Sequence, residues 1–418
     1  MKLLNFKNDY TLIKTDKIDT VVFQFFFPVN YVKGEGSYVK ILDDIITQTS
    51  EKYPESEEYN KARIKSGVID NQLTPMSIGS TYFLKYSFEI PRENLIKDYN
   101  IEEAFSFAID SLMKPFIKNK KFDQSQFDYE KNYLIRSYKM MDENIDSSNE
   151  KKLWDIVDKD GIIGLSSEHY KKALENLNND RLYELYLENI FNNKPFIYIY
   201  GNIDKKTLDR LFAKYYPLSK KEIKVKKDYM MVLPFVKEQN IEVQTKFNQT
   251  ELVMVYQVDV IEDNFFRLSQ LNDFLSSKEN HLIFKTLRTE HNLVYHAGTH
   301  TRARSGILFV DALIQDKNID EAIELVNGVF ESLKDKKVLA ECLSRAQKYV
   351  SYDLLVEEDN SFNELRKVKD ADFELFDLED MVKTYEKTTA DDMLDFIKSV
   401  KHTSTIIFRG VGNDKDNN

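Results

Sequence analysis

The order in which periodic segments recur constrains this chain more than any single motif. An apolar run rich in β-branched and aromatic residues, TVVFQFFFPV (20–29), predicts a strand, and YVKILDDIITQTSEKY (38–53) has helical spacing. Paired strand patterns follow up to YFLKYSFEI (82–90), then a second helical run, IEEAFSFAIDSLMKPF. Further on the same order returns. TELVMVYQVDV (250–260) reads as a strand, FFRLSQLNDFLSS as a helix, LVYHAGTHT and GILFVDALI as strands, and IDEAIELVNGVFESLKD as a helix. The closing pieces repeat as well: LENLNNDRLYELY leads into PFIYIYGN, and YEKTTADDMLDFI into STIIFRG, with Thr389 and Asp392 spaced as a capping box. A duplicated α+β unit is the expectation. At 418 residues the chain exceeds what a single core usually holds, so two domains of roughly 200 residues fit its length. PLSKKEIKVKKDYMMVLPFVKEQ (217–239), proline-flanked and basic, separates the halves. The expected domains are therefore 1–218 and 241–418, with a solvated linker over 219–240.

Charge and cysteine content narrow the function classes. A net charge of −11 and a pI near 5.3 exclude general nucleic-acid binding, which needs clustered excess cation. Peptides remain compatible ligands. The lone cysteine, Cys342, lies in a helical pattern, LAECLSRAQKYV, and reads as helix packing; one cysteine forms no intramolecular disulfide, which suits a reducing compartment. MKLLNFKNDYTL has no apolar leader core, and no run has the length of a membrane span. A soluble cytoplasmic protein is expected, with disorder confined to the tail GNDKDNN.

One stretch, LRTEHNLVYHAGTH (287–300), carries three of the six histidines and invites a metal-site reading. Zinc requires three or four donor atoms within about 2.0–2.3 Å. NLVYHAGTH has strand composition, and on a strand His296 and His300 share a face about 13 Å apart, too far for one ion. His291 falls beyond Leu293 and Val294 in a predicted turn. Exposed or capping histidines are the expectation, and no metal is assigned to this chain.

What remains of that stretch is Arg288, Asn292, Leu293 and Tyr295, in the order LRxxxxLxY between a helix and a strand pair. FKTLRTEHNLVYHAGT resembles the LRExxGLxY segment of the insulinase, pitrilysin and mitochondrial-processing-peptidase family of inverted zincins, with Asn292 where the family commonly has glycine. The resemblance spans the whole duplicated chain. It implies two duplicated α/β domains, each a mostly antiparallel sheet with helices on one face, together forming half of a clamshell. It also implies that Arg288 and Tyr295 bind substrate. For either residue alone the plainer reading stands beside this one: Arg288 in a salt bridge with Glu290 or another nearby acid, Tyr295 as a half-buried strand residue.

Active members of that family carry HxxEH on the first helix, where residues four apart grip one zinc and the glutamate activates water. Neither HxxEH nor HExxH occurs here, and no histidine lies in the first 160 residues. Aligned on the flanking elements, Lys40 and Asp44 replace the two histidines and Asp43 the general base. FDYEKNYLIRSYK (127–139) resembles the family's FExEK segment; the ligand glutamate expected seven residues after Glu130 is Ser137. As an i, i+4 pair, Lys40 and Asp44 are either an exposed helix pair or a cation set near the vacated metal position. SSKENH (276–281) lacks the glycine-rich loop of related subunits, which removes the basis for a hinge or substrate role there.

The resemblance thus implies a non-catalytic partner subunit of a heterodimeric zinc metallopeptidase, with no catalytic residue of its own. Arg288 would hold the peptide backbone and Tyr295 would donate to the developing oxyanion, while the zinc sits in an HxxEH-bearing paralogue. A peptide-binding or scaffold protein acting without a peptidase partner is the alternative; an autonomous enzyme is the least supported reading, since it would need another nucleophile and no GxSxG or reactive cysteine setting is visible.

Overall fold

The computed structural model describes residues 2–6, 10–30, 35–78, 81–93, 95–159, 167–216, 223–227, 230–237, 239–261, 264–276 and 282–411. The tail and most of the SSKENH loop lie outside the described residues, as do parts of the expected linker. Among the described residues no helix is long and apolar enough to cross a membrane.

The chain folds into two compact units, and each contains a five-stranded sheet. In the first unit the strands are β1 (Thr11–Ile13), β2 (Thr20–Val29), β3 (Asp70–Ile78), β4 (Thr81–Pro91) and β5 (Phe196–Gly201). Their spatial order is β1-β5-β2-β4-β3, parallel between β1 and β5 and antiparallel elsewhere. The second unit has β6 (Gln239–Gln244), β7 (Thr250–Gln257), β8 (Val294–Arg302), β9 (Ile307–Ile314) and β10 (Lys401–Arg409). Its order is β6-β10-β7-β9-β8, again parallel only at the β6 edge. Strand for strand, the second sheet repeats the first, so the duplication read from the sequence is present in the topology.

The helices repeat in the same way. α1 (Tyr38–Ile46), α2 (Ile101–Met113), α3 (Gln124–Met141), α4 (Ile145–Val157) and α5 (Asn179–Tyr186) belong to the first half of the sequence. Their counterparts are α6 (Phe265–Ser276), α7 (Ile319–Ser332), α8 (Lys336–Glu358), α9 (Asn363–Asp372) and α10 (Ala390–Ser399). Thr389 and Asp392 form the expected capping box at α10, and Cys342 is buried in the apolar core beneath α8. α1 stops seven residues short of the pattern's end at Tyr53, because the hydroxyls of Thr47 and Thr49 donate back to the carbonyls of Asp43 and Ile45 (2.7 and 3.0 Å) and compete with further helix.

Residues of β2 alternate strictly. Val21, Phe23, Phe25 and Phe27 enter the core with α1 and α2, where Phe23 meets Phe105 edge-on at 5.3 Å. Phe26, also fully buried, points to the other face, and there the sheet is covered by a segment from the far end of the sequence. Residues 361–374, which include α9, fold with the first unit. Phe373 packs edge-on against Phe83 and Phe196 (5.7 and 5.8 Å), the Tyr198 hydroxyl donates to Asp372 at 3.0 Å, and the Lys369 ammonium stands 5.6 Å from the Phe26 ring.

The second sheet is covered reciprocally. Residues from 148, in α4, fold with the second unit: Leu153 and Val157 pack with Val253, Val255, Phe309 and Phe408 on the face away from the main core, and Trp154 meets Phe309 edge-on at 5.5 Å. The simple division at 219–240 therefore misses two helices that lie in sequence on one side and in space with the other sheet. The expected linker is itself partly structured. Ile223–Lys227 pairs antiparallel with Lys2–Phe6, and buried Leu233 packs beside α4, its N–H bonded to the Ser305 carbonyl at 3.2 Å.

Two outcomes follow from this packing. Phe373→Ala should destabilise the first unit by about 3 kcal/mol, the usual cost of an aromatic-sized cavity, read from urea unfolding by circular dichroism; an unaltered transition would show that α9 does not hold this face. In the second unit, burial pushes the Asp273 carboxyl up to about 6, with Asp353 adding to the shift and the hydrogen bond from Tyr385 (2.7 Å) opposing it. A raised carboxyl stabilises the folded state while protonated and loses that contribution as pH rises, so Asp273 should cost the unit about 1.4 kcal/mol between pH 5 and 7.5. Asp273→Asn should remove that slope, followed by the emission of Trp154, the sole tryptophan.

Candidate functional site

A π-helical turn, Lys285–Glu290, carries Arg288 towards the edge strand β8. The turn closes through Asn292, whose backbone is left-handed at φ 53°; its N–H bonds the Arg288 carbonyl at 3.1 Å, and the Leu293 N–H bonds Leu287 at 2.9 Å. Asparagine is among the non-glycine residues that adopt this conformation most readily, which explains how it stands where the resembling family has glycine. Its side chain adds what glycine lacks. Arg288 Nη1 donates to Asn292 Oδ1 at 3.0 Å and to the Val294 carbonyl at 2.9 Å, so the guanidinium is anchored at one end. Glu290 pairs with Lys285 instead, at 3.3 Å, so the Arg288–Glu290 bridge does not form.

Tyr295 follows at the start of β8 with its side chain exposed, and its hydroxyl oxygen accepts from Gln315 Nε2 at 3.3 Å, which leaves the hydroxyl hydrogen for another acceptor. Arg288 and Tyr295 line one open cavity of about 390 Å³, together with Asn292, Gln315, Lys317 and Asn318. The last three were not singled out from the sequence. Their signal was the pairing of β8 with β9, which sets Ile314 opposite Val294 and so brings the turn after β9 beside Tyr295.

His296 and His300 share a face of β8, as expected of residues four apart on a strand, and both are exposed. They flank one carboxylate, Asp311 on β9, at 3.9 and 3.3 Å, and His300 stacks on Phe309. His291 stands apart, 3.7 Å from Glu321. Among the described residues no group of three histidine, cysteine or acidic side chains is arranged to hold a metal ion.

The first unit brings the other set of singled-out residues together. On α1 the exposed Lys40 side chain places its ammonium 2.7 Å from Asp44 and 3.3 Å from Asp43, the exposed helix pair of the two alternatives. Burial works to lower this ammonium, but the hydrogen bonds and charges of Asp44 and Asp43 outweigh it and hold the lysine above its ordinary range. Asp43 also accepts the N–H of Leu73 on the edge strand β3, at 2.7 Å, so this carboxylate is engaged in holding a strand. Its carboxyl is raised, chiefly by burial. α3 packs on α1 and presents Glu130, buried and raised by burial and by the charge of Asp44. One face further along α3, the Ser137 hydroxyl donates to the Leu134 carbonyl at 2.8 Å.

Residues 176–350 match the family model described as the peptidase M16 inactive domain. A Bacillus subtilis protein, "Probable inactive metalloprotease YmfF", is 18% identical over 410 residues, covering 96% of this chain and 95% of that protein. In fold, a conserved protein from Enterococcus faecalis superposes with a TM-score of 0.84 at 16% identity, over 99% of this chain and 100% of the other. The peptidase M16 inactive domain from Pseudomonas fluorescens does so with a TM-score of 0.64 at 11% identity, over 98% of each. Over residues 176–350 the chain thus matches an inactive-domain model of the M16 peptidases, the insulinase and pitrilysin group that its motifs resemble, and along its whole length it has the fold of M16-type structures.

The zinc that this family implies does not fit the residues present. An ammonium has no lone pair to give, Lys40 already neutralises Asp44, Asp43 is engaged by Leu73, and Ser137 turns into its own helix. Purified chain should therefore hold well under one zinc per molecule by elemental analysis. Because α1 and α3 pack together, the combined change Lys40→His, Asp43→Glu, Asp44→His and Ser137→Glu should raise that to about one. Failure of the fourfold variant to take zinc while folded would show that these positions do not correspond to the family's ligands.

Proposed function

We propose that this chain is the non-catalytic subunit of a two-chain zinc metallopeptidase and contributes Arg288 and Tyr295 to the binding of peptide in an enclosed chamber. The observation that carries the reading is the division between its halves: Arg288 and Tyr295 line one cavity in the second unit, while the first unit has a lysine-centred ion network where metal donors would stand. In this arrangement a zinc ion held by an HxxEH-bearing paralogue would supply the activated water for hydrolysis. This chain's part is binding and charge stabilisation. Arg288, anchored through Nη1, offers its remaining N–H groups to substrate oxygens. Tyr295, with Gln315 donating to its oxygen, gives its own hydrogen to the peptide carbonyl as that oxygen gains negative charge. One such donor is worth about 3 kcal/mol where charge develops.

Mixing the chain with a metal-bearing M16 paralogue from the same source tests the reading. Neither chain alone should cleave a mixed peptide pool efficiently, and the pair should do so. Tyr295→Phe should then lower kcat about a hundredfold, and Arg288→Ala chiefly kcat/KM. A stable mixed complex without activity, or the absence of any complex, would move the chain to peptide binding or scaffolding; activity and stoichiometric zinc in the chain alone would overturn both.

A further inference from the structure

The cavity that holds Arg288 and Tyr295 also has a second cation, and we propose that its ligand is a peptide carboxylate, gripped between Arg288 and Lys317. The inference rests on the peptide-binding reading above and specifies the chemical class that the site takes. Three observations carry it. First, the residues lining the cavity include two cations and no acid. Second, three of the four acids nearest in sequence are committed elsewhere, Glu290 to Lys285 at 3.3 Å, Asp316 to Arg409 and the Thr250 hydroxyl at 2.7 and 2.6 Å, and Glu321 to His291 at 3.7 Å, while the fourth, exposed Asp320 in the first turn of α7, is not among the lining residues. Among the described residues neither Arg288 nor Lys317 has a carboxylate partner within ion-pair distance. Third, the guanidinium is oriented before any ligand arrives. Nη1 is bonded on both sides, to Asn292 and to the Val294 carbonyl, so Nη2 and Nε remain as a planar pair of donors of the kind that matches a carboxylate in bidentate fashion.

Lys317 sits in a single turn of 3₁₀ helix between β9 and α7, exposed, with Asn318 beside it bonding the Leu293 carbonyl at 3.2 Å and so fixing the turn against the β8 end. A cation on a pinned turn and an anchored guanidinium thus line one cavity in a chain whose net charge is −11. The carboxylate comes from one of two sources, the C-terminus of a peptide or an acidic side chain.

Fluorescence anisotropy on the full chain distinguishes them. The probes are a dansylated Ala-Phe-Ser-Ala-Phe pentapeptide as free acid, the same peptide amidated, and amidated versions with the serine replaced by Glu or by Gln. The free acid, the Glu amide, or both should bind about tenfold more tightly than the neutral amides. Lys317→Gln should reduce that preference to within about twofold without weakening the neutral peptides, and Lys317→Arg should restore it. Preference for the free acid alone identifies the C-terminus as the source, and preference for the Glu amide identifies the side chain. Equal binding of all four peptides that is lost in Arg288→Ala/Tyr295→Ala would overturn the carboxylate proposal and leave the peptide-binding reading standing. No binding of any peptide by the folded chain would overturn both.

Discussion

Sheets that are apolar on both faces govern this structure. In β2 the run Val21, Val22, Phe23 and Phe25 to Phe27 is buried on both sides of the pleat, and in β5 every residue from Phe196 to Gly201 is buried. A five-stranded sheet of this composition is stable only if both faces are taken out of water. The helices of its own half cover one face; α9 and α4, each from the other half of the sequence, cover the second. The duplication is thus more than two copies in a row, because each copy completes the sheet of the other. The connecting chain becomes part of the packing, as buried Leu233 illustrates.

The two units carry opposite electrostatic solutions. On α1 a lysine and two aspartates satisfy one another and an edge-strand N–H, which leaves nothing to recruit a metal. Beside β8 the acids Glu290, Asp316 and Glu321 are paired away, and two cations, Arg288 and Lys317, have no carboxylate partner among the described residues. The fold shared with solved M16-type structures is the frame of both units; the charges placed on it set the two positions apart. The burial that raises the Glu130 and Asp43 carboxyls belongs to the first case, where acids are held in a packed helix interface rather than offered to an ion.

Much of the candidate site was legible because it depends on local chemistry. The LRxxxxLxY spacing located Arg288 and Tyr295, and asparagine at 292 matched the backbone that the turn needs. The strand composition of NLVYHAGTH correctly set His296 and His300 on one face of a strand. Lys317, Gln315 and Asn318 were not legible, since they reach the cavity through strand pairing between β8 and β9 and not through any motif of their own. Likewise the run Phe25 to Phe27, apolar at consecutive positions, already signalled two-sided burial, but not which segment would supply the second cover.

By itself, the sequence determined the period of each element, the duplicated order of strands and helices, the absence of histidine donors from the first half, and the local turn that presents Arg288. Those properties follow from side-chain type and spacing along a few residues. Tertiary structure alone decided that α4 and α9 cross to the opposite sheet, that Asp43 spends its carboxylate on Leu73, and that Lys317 joins Arg288 at one cavity. Such pairings join residues far apart in the chain, and their selection depends on which apolar faces remain uncovered and which charges remain unpaired once the whole chain has packed.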